Sequence, residues 1–211
     1  MQASPGPDLS AALEHGIRAL GQDPAEHPCE RYLAYLDLLA RWNRAYNLSG
    51  IRDPDRMLTH HILDSLAVRP YVREPRCLDV GSGAGLPGLI LALSLPETDW
   101  VLLDSNRKKV RFLNQAVLEL GPANVEVVAA RVEEYRPRDG FSTIVSRAFT
   151  SLKRFRDLSG HLLSADGRLL AMKGARPEAE LAELDENAGD ILVHELTIEG
   201  LEAQRHLIVL S

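Results

Sequence analysis

The residues best suited to chemistry cluster where short apolar runs end. Arg76-Cys77-Leu78-Asp79-Val80 runs into Gly81-Ser82-Gly83-Ala84-Gly85-Leu86-Pro87-Gly88 and then into Leu89-Ile90-Leu91-Ala92-Leu93, the order of a strand, a tight turn and a helix. Glycines at 81, 83 and 85 can take positive φ and lay bare backbone against a ligand. The amides that open the following helix add donors and the positive end of a dipole. The expected occupant is a nucleotide. Gly83, Gly85 and Gly88 spell Gly-x-Gly-x-x-Gly, a weak signal by itself, but Asp79 precedes the cluster and makes the fuller pattern Asp-x-Gly-x-Gly-x-Gly. Asp104 closes the next apolar run, where a carboxylate can accept from both hydroxyls of a ribose; capping the helix that starts near Arg107 is the structural alternative. Past the third run come Arg131-Val132-Glu133-Glu134, whose backbone at Val132 and Glu133 could read an adenine edge. Past the next two come Ser146-Arg147-Ala148-Phe149 and Lys173-Gly174. Cations at two neighbouring strand ends are seldom there for packing, so Arg147 and Lys173 are the candidates for positioning phosphate, carboxylate or an RNA loop.

The elements that must carry these residues alternate regularly from Arg76 onward. The periodicity predicts strands at 76–80, 100–104, 125–130, 143–146, 168–172, 191–196 and 207–210. Between them it predicts helices Leu86–Leu95, Arg107–Leu120, Ser151–Leu163 and Pro177–Glu186. Such alternation argues for an α/β fold, a mostly parallel sheet covered on both faces. The last two strands have no helix between them and should form a hairpin through Gly200, with one of them antiparallel to the rest. Upstream, Ser10–Leu20 and Cys29–Leu48 read as helices, and a further helical stretch runs from Asp53-Pro54 through His60-His61 to Pro70. Residues 1–73 are thus expected to be a helical extension packed on a core formed by residues 74–211. The second helix interleaves Arg41, Trp42, Arg44 and Tyr46 and runs to Asn47, a mixture suited to RNA backbone and bases; an amphipathic helix with Trp42 in the core fits the same residues. Adjacent histidines on a helix face different directions, so His60 and His61 are no metal pair, and no metal is expected.

The 211 residues, 45% of them apolar, suit one domain with an N-terminal addition. No long apolar window and no signal-peptide layout is present, so a cytoplasmic protein without membrane attachment, and a monomer, is expected. Two cysteines, Cys29 and Cys77, provide neither a disulfide framework nor a zinc site. The net charge of −6 is segregated: residues 1–176 hold 23 Lys+Arg against 21 Asp+Glu, and residues 177–211 hold 1 against 9. A basic face outside the tail therefore remains available to RNA.

Asp79-x-Gly81-x-Gly83-x-Gly85 resembles motif I of the class I S-adenosylmethionine-dependent methyltransferases, whose sheet of seven strands also ends in a hairpin. Transfer from a sulfonium is an in-line displacement, so such an enzyme mainly aligns donor and acceptor and excludes water. Pyrimidine C5 acceptors need a thiolate at the site, and neither cysteine lies on a strand-end loop. Exocyclic amines commonly meet an Asn or Asp followed by Pro-Pro and an aromatic, where this chain has Ser146-Arg147-Ala148-Phe149. A guanine N7 carries a lone pair and no proton, and needs no general base.

Trp42-Asn43-Arg44-Ala45-Tyr46-Asn47-Leu48, His61-Ile62-Leu63-Asp64-Ser65-Leu66, the motif at 79–88, Asp104-Ser105-Asn106-Arg107-Lys108-Lys109 and Ser146-Arg147-Ala148 together resemble the bacterial small-subunit ribosomal RNA guanine-N7 methyltransferases, also called glucose-inhibited division protein B. The likeness runs from about Arg31 to Ser211. It implies S-adenosylmethionine as donor. As acceptor it implies one guanine in the decoding-region loop of 16S ribosomal RNA, met bare, in the small subunit or in an assembly intermediate. Carried over by position, Gly81 and Leu86 lie in the cofactor loop, Val132-Glu133 replaces the usual Ala-Glu adenine-side pair, and Arg147 is the cofactor-site arginine. The expected cofactor contacts are then Asp79, Gly81, Ser82, Gly83, Gly85, Leu86, Asp104, Ser105, Arg131, Val132, Glu133 and Arg147. Arg41, Arg44, Asn47 and Lys173 are the candidates for RNA. Two other readings fit the glycines: an NAD-dependent oxidoreductase, and a module that binds S-adenosylmethionine or RNA without turnover.

Overall fold

The computed structural model describes residues 8–148, 150–184 and 189–211. Its strands are β1 (Arg76–Val80), β2 (Asp99–Leu103), β3 (Val125–Val128), β4 (Phe141–Arg147), β5 (Leu163–Lys173), β6 (Ile191–Glu195) and β7 (His206–Leu210), in one sheet of order β3-β2-β1-β4-β5-β7-β6. The first five pair in parallel, and β7 lies antiparallel to both β5 and β6, which is the expected hairpin inserted at the far edge. Strand order reverses between β1 and β4. At such a reversal the loops leave in opposite directions and open a crevice at the carboxyl ends of the strands.

Before the sheet come α1 (Leu9–Ala19), α2 (Cys29–Tyr46), α3 (Pro54–Met57), a π-helical stretch at Leu58–Leu63 and α4 (Asp64–Leu66). Their ends follow ordinary capping chemistry. Asp8 and Asp53 accept the amides of Ser10 and Arg56, Pro54 opens α3 where no amide is needed, and α2 stops at Asn47 in the left-handed region, φ 50°. Within the sheet region α5 (Gly88–Ser94), α6 (Arg107–Leu120), α7 (Leu152–Ser159) and α8 (Glu178–Ala182) follow in turn.

Strand alternation divides the core. Leu78, Val80, Val101 and Leu103 face one side with Leu152 and Phe155 of α7; Cys77, Trp100, Val145 and Leu170 face the other with Leu91 and Ala92 of α5. The upstream helices have no separate core. Leu13, Tyr35, Leu39 and Leu63 cluster with Leu89 of α5 and with Phe112 and Leu113 of α6. Trp42 stacks on Tyr46 at 5.0 Å and meets Phe112 edge-on at 5.7 Å, so its ring packs between α2 and α6. No helix among the described residues is long and apolar enough to cross a membrane.

Several boundaries move from their expected places. α5 starts at Gly88 instead of Leu86, because Gly85 and Leu86 first close a turn on the Ser82 carbonyl and Pro87 has no amide to donate. α7 ends at Ser159, and one 3₁₀ turn leads into β5 at Leu163, earlier than the expected Arg168. There Leu163 pairs with Phe141 across an irregular step, and a Cβ at Gly167 would lie 2.5 Å from the Phe141 carbonyl oxygen. The helix expected over Pro177–Glu186 is seen as the shorter α8, which ends at Ala182 with Glu183 as its cap; Asp185 and Glu186, like Phe149, lie outside the described residues.

Phe112 is fully buried against Tyr35 and Trp42. Phe112→Ala should lower unfolding stability by about 3–5 kcal/mol, read as the urea midpoint with its slope. A loss under 1 kcal/mol would mean that the helices upstream of residue 74 do not share this core.

Candidate active site

The turn after β1 is built on three glycines at φ 70°, 62° and 84°, Gly81, Gly83 and Gly85. Gly83, Gly85 and the following Gly88 differ in their surroundings. A Cβ at Gly83 would be in ordinary contact with Gly81 O at 3.7 Å and Lys109 Nζ at 3.9 Å, so the positive φ and not a lack of room calls for glycine there. A Cβ at Gly85 would sit 2.9 Å from Leu89 Cβ, and one at Gly88 2.6 Å from the Asp79 carboxylate. Bare backbone at Gly88 lets its N–H donate to Asp79 Oδ2 at 2.9 Å, and the Ser82 hydroxyl donates to the same oxygen at 2.7 Å. Asp79 is wholly buried, and burial pushes its pKa up to about 6 against the pull of those two donors. From the other side Tyr35, on α2, donates to the Ala84 carbonyl at 2.7 Å. Ser82 and Leu86 are buried within the turn.

A cavity of about 500 Å³ opens beside this turn, lined by Gly81, Asp104, Ser105, Arg131, Val132 and Glu133 from the expected set. Asp104 is 6% exposed. Its Oδ2 accepts Gly83 N–H at 2.9 Å and its Oδ1 accepts Asn106 N–H at 2.8 Å, so it orders both the glycine turn and the start of α6. Each oxygen keeps a further lone pair for a ligand hydroxyl. The capping role weighed as the alternative for Asp104 is filled instead by Asn106, which accepts from Lys108 N–H. Sequence reasoning gave no role to Lys109, Thr150 and Arg154, which complete the wall; Lys109 Nζ stands 3.9 Å from Asp104.

A second cavity, about 470 Å³, adjoins the first and shares Ala148 with it. Ala148 adopts φ 55°, a left-handed conformation costing a non-glycine residue about 1–2 kcal/mol, placed at the partition. Arg147 lines this second cavity. Its guanidinium donates to the His60 carbonyl at 2.8 Å and to Asp64 Oδ2 at 3.3 Å. Arg205 donates to Asp64 Oδ1 at 3.0 Å, leaving a carboxylate only 1% exposed between two cations. Lys173 also lines it, but its ammonium donates to Thr150 O at 2.9 Å and to Glu180 Oε2 at 2.8 Å. Asp64 and Arg205 were missed. The one signal for Arg205 was its being the single cation in residues 177–211. Of the remaining RNA candidates, Arg41 pairs with Glu119 at 2.8 Å, Arg44 is exposed beside Arg52 in a smaller hollow, and Asn47 is exposed at the end of α2. None of the three enters either cavity.

The family model described as rRNA small subunit methyltransferase G, GidB, matches residues 28–208. The chain belongs to that family. Among similar relatives, the ribosomal RNA small subunit methyltransferase G of Ectopseudomonas mendocina is 52% identical over 200 residues, covering 94% of each chain. That of Nitrosospira multiformis is 49% identical over 206 residues, covering 94% of this chain and 95% of its own. Among solved structures, a SAM dependent methyltransferase from Aquifex aeolicus aligns with a TM-score of 0.58 at 19% identity, over 78% of this chain and 96% of that one. Precorrin-6y C5,15-methyltransferase from Geobacter metallireducens aligns at 0.55 and 12%, over 70% and 86%. These structural likenesses establish the class I methyltransferase fold for this family member, and both cavities lie at its strand ends.

Since burial raises the Asp79 pKa when folded, the cost of its charge is absent where it is protonated in both states and grows as pH rises from about 4 to about 6. Asp79→Asn removes that cost. The variant's stability relative to the parent should therefore improve by up to about 3 kcal/mol between pH 4 and pH 7, measured by urea unfolding. A difference that does not change with pH would place the carboxylate in a water-like setting.

Proposed function

We propose that this methyltransferase binds S-adenosylmethionine in the first cavity and methylates N7 of a guanine, in the decoding-region loop of 16S ribosomal RNA, presented in the second. The observation that carries the reading is the shared wall at Ala148, which brings two cavities of different lining into contact at one strand end. The first cavity fits the donor. Gly81 lays backbone without a side chain along its wall, Asp104 retains lone pairs for both ribose hydroxyls, and the Val132–Glu133 turn offers backbone to an adenine edge. Val132, 5% exposed, contributes an apolar side there. When bound, S-adenosylmethionine supplies an electrophilic methyl group.

The chain's own residues then orient and desolvate. Arg147 and Arg205 with Asp64 carry a net charge of +1 at the second wall, an attraction for the phosphate of an incoming nucleotide. Lys173, held by Glu180, fixes the Thr150 carbonyl segment that lines the donor cavity instead of reaching freely for RNA. Two titratable groups of the second lining are held out of proton transfer, and the buried Cys77 thiol lies outside both linings, which suits an acceptor with a free lone pair. Asp64 is engaged by two guanidiniums, burial pushes the His61 pKa down to about 4 so that it is neutral, and burial pushes the Cys77 thiol up to about 12 inside β1. Outside the cavities the exposed Arg44 suits phosphate contact as the RNA docks.

Labelled S-adenosylmethionine incubated with the protein and with 16S RNA, small subunits and assembly intermediates lacking the modification should deliver label to one guanine as 7-methylguanosine. No transfer to any of them, or transfer to another atom, overturns the reading. Asp104→Ala should weaken S-adenosylhomocysteine at least tenfold by calorimetry, with NADH giving no thermal stabilisation of the parent. Arg44→Ala should weaken RNA binding and reduce its salt slope by about 1 without altering cofactor affinity. An equal loss for the cofactor would move Arg44 into the donor site.

A further inference from the structure

The wall of the second cavity contains a chain of hydrogen bonds whose protons can be counted. Asn43, buried at the end of α2, donates to the Ser49 carbonyl at 2.7 Å and accepts the Ser49 N–H at 2.9 Å, which fixes Ser49 in place. The Ser49 hydroxyl oxygen accepts Ile51 N–H at 3.1 Å and lies 2.9 Å from His61 Nε2. A hydroxyl has one proton and two lone pairs; the arrangement that gives that proton a partner as well sends it to the imidazole. Nε2 is therefore an acceptor, and in the neutral ring Nδ1 carries the hydrogen. That Nδ1 is buried and has no hydrogen-bond partner among the described residues. His61 is 4% exposed and lines the cavity together with Ser49, Gly50, Arg147 and Arg205. Burial first, and the Arg147 charge second, hold the ring neutral at physiological pH.

An unpaired buried donor is costly, and in the wall of a cavity a ligand can supply its partner. The backbone around it is also special. His60 and His61 lie in the π-helical stretch, where the widened turn frees the His60 carbonyl to accept from Arg147; such turns recur at functional sites. We propose that the His61 Nδ1–H group, brought to the cavity surface as the acceptor base enters, is the donor that recognises the O6 of that base and so selects guanine over adenine. This rests on the second cavity being the acceptor site. On its Hoogsteen edge guanine places the O6 acceptor beside N7, whereas adenine places an N6–H₂ donor there. A fixed donor in this wall accepts the first and opposes the second. The Asn43–Ser49 clamp is what keeps the imidazole in the tautomer that does so.

Two substitutions separate the ring nitrogens. His61→Gln sets an amide near Nε2, able to keep the Ser49 contact without a donor at Nδ1; His61→Asn sets an amide N–H near Nδ1 and gives up Ser49. Each protein is assayed for kcat/KM on 16S RNA carrying guanosine at the target, and on RNA carrying 2-aminopurine there, which keeps N7 and lacks O6. The parent and His61→Asn should prefer guanosine by roughly 10- to 100-fold. His61→Gln should lose that preference by becoming slow on guanosine, with its affinity for S-adenosylhomocysteine and its melting temperature unchanged. The same preference in all three proteins, or its loss in His61→Asn but not in His61→Gln, overturns the assignment and leaves the methylation reading standing. Absence of transfer by the parent overturns both.

Discussion

A single oxygen, Asp79 Oδ2, holds the site together. It receives the Ser82 hydroxyl and the Gly88 amide, so the end of β1, the glycine turn and the start of α5 are tied at one buried point. The carboxylate is out of water, and its raised pKa records the cost. That cost is offset by the order it gives: with Asp104 receiving Gly83 N–H and Tyr35 donating to Ala84, each face of the turn has a partner. The three partners come from β1, from the end of β2 and from α2. The upstream helices therefore brace the glycine turn directly, beyond covering a sheet face.

The second cavity follows from the same topology. β4 adjoins β1 at the reversal of strand order, and its last residue, Arg147, crosses to the His60 carbonyl of the π-helical stretch and to Asp64. Arg205 arrives at Asp64 from the connection preceding β7. One carboxylate thus joins the upstream helices, the parallel strands and the terminal hairpin around a hollow. Removing the carboxylate from such a cluster would leave two guanidiniums facing each other, so Asp64 acts on the cavity through the placement of both cations.

Signals confined to one stretch of chain were legible in the sequence. A glycine cluster after an apolar run, an acid closing the next run and the Arg131–Glu133 turn each announce themselves locally, and the donor cavity is built from them. The seven strands and the terminal hairpin were legible for the same reason, through period and punctuation. The second cavity was legible only at its strand-end cations, Arg147 and Lys173; Ser49, His61, Asp64 and Arg205 meet them only through tertiary folding, and Asp64 and Arg205 lie 141 residues apart. Lys173 looked like a free cation until α8 brought Glu180 to it. Trp42 suited RNA or, more readily, the core, and the burial of Phe112 opposite it decided for packing. β5 started early because register with β4, which no local pattern encodes, extends its ladder to Leu163.

The central claim is that two cavities meeting at Ala148 place donor and acceptor face to face. A crystal structure with S-adenosylhomocysteine tests it most directly. The account predicts the ribose hydroxyls on Asp104, the adenine beside Val132, and the sulfur directed past Ala148 toward the hollow lined by His61, Arg147 and Arg205. A sulfur directed away from that hollow, or a ligand seated elsewhere on the sheet, would contradict it.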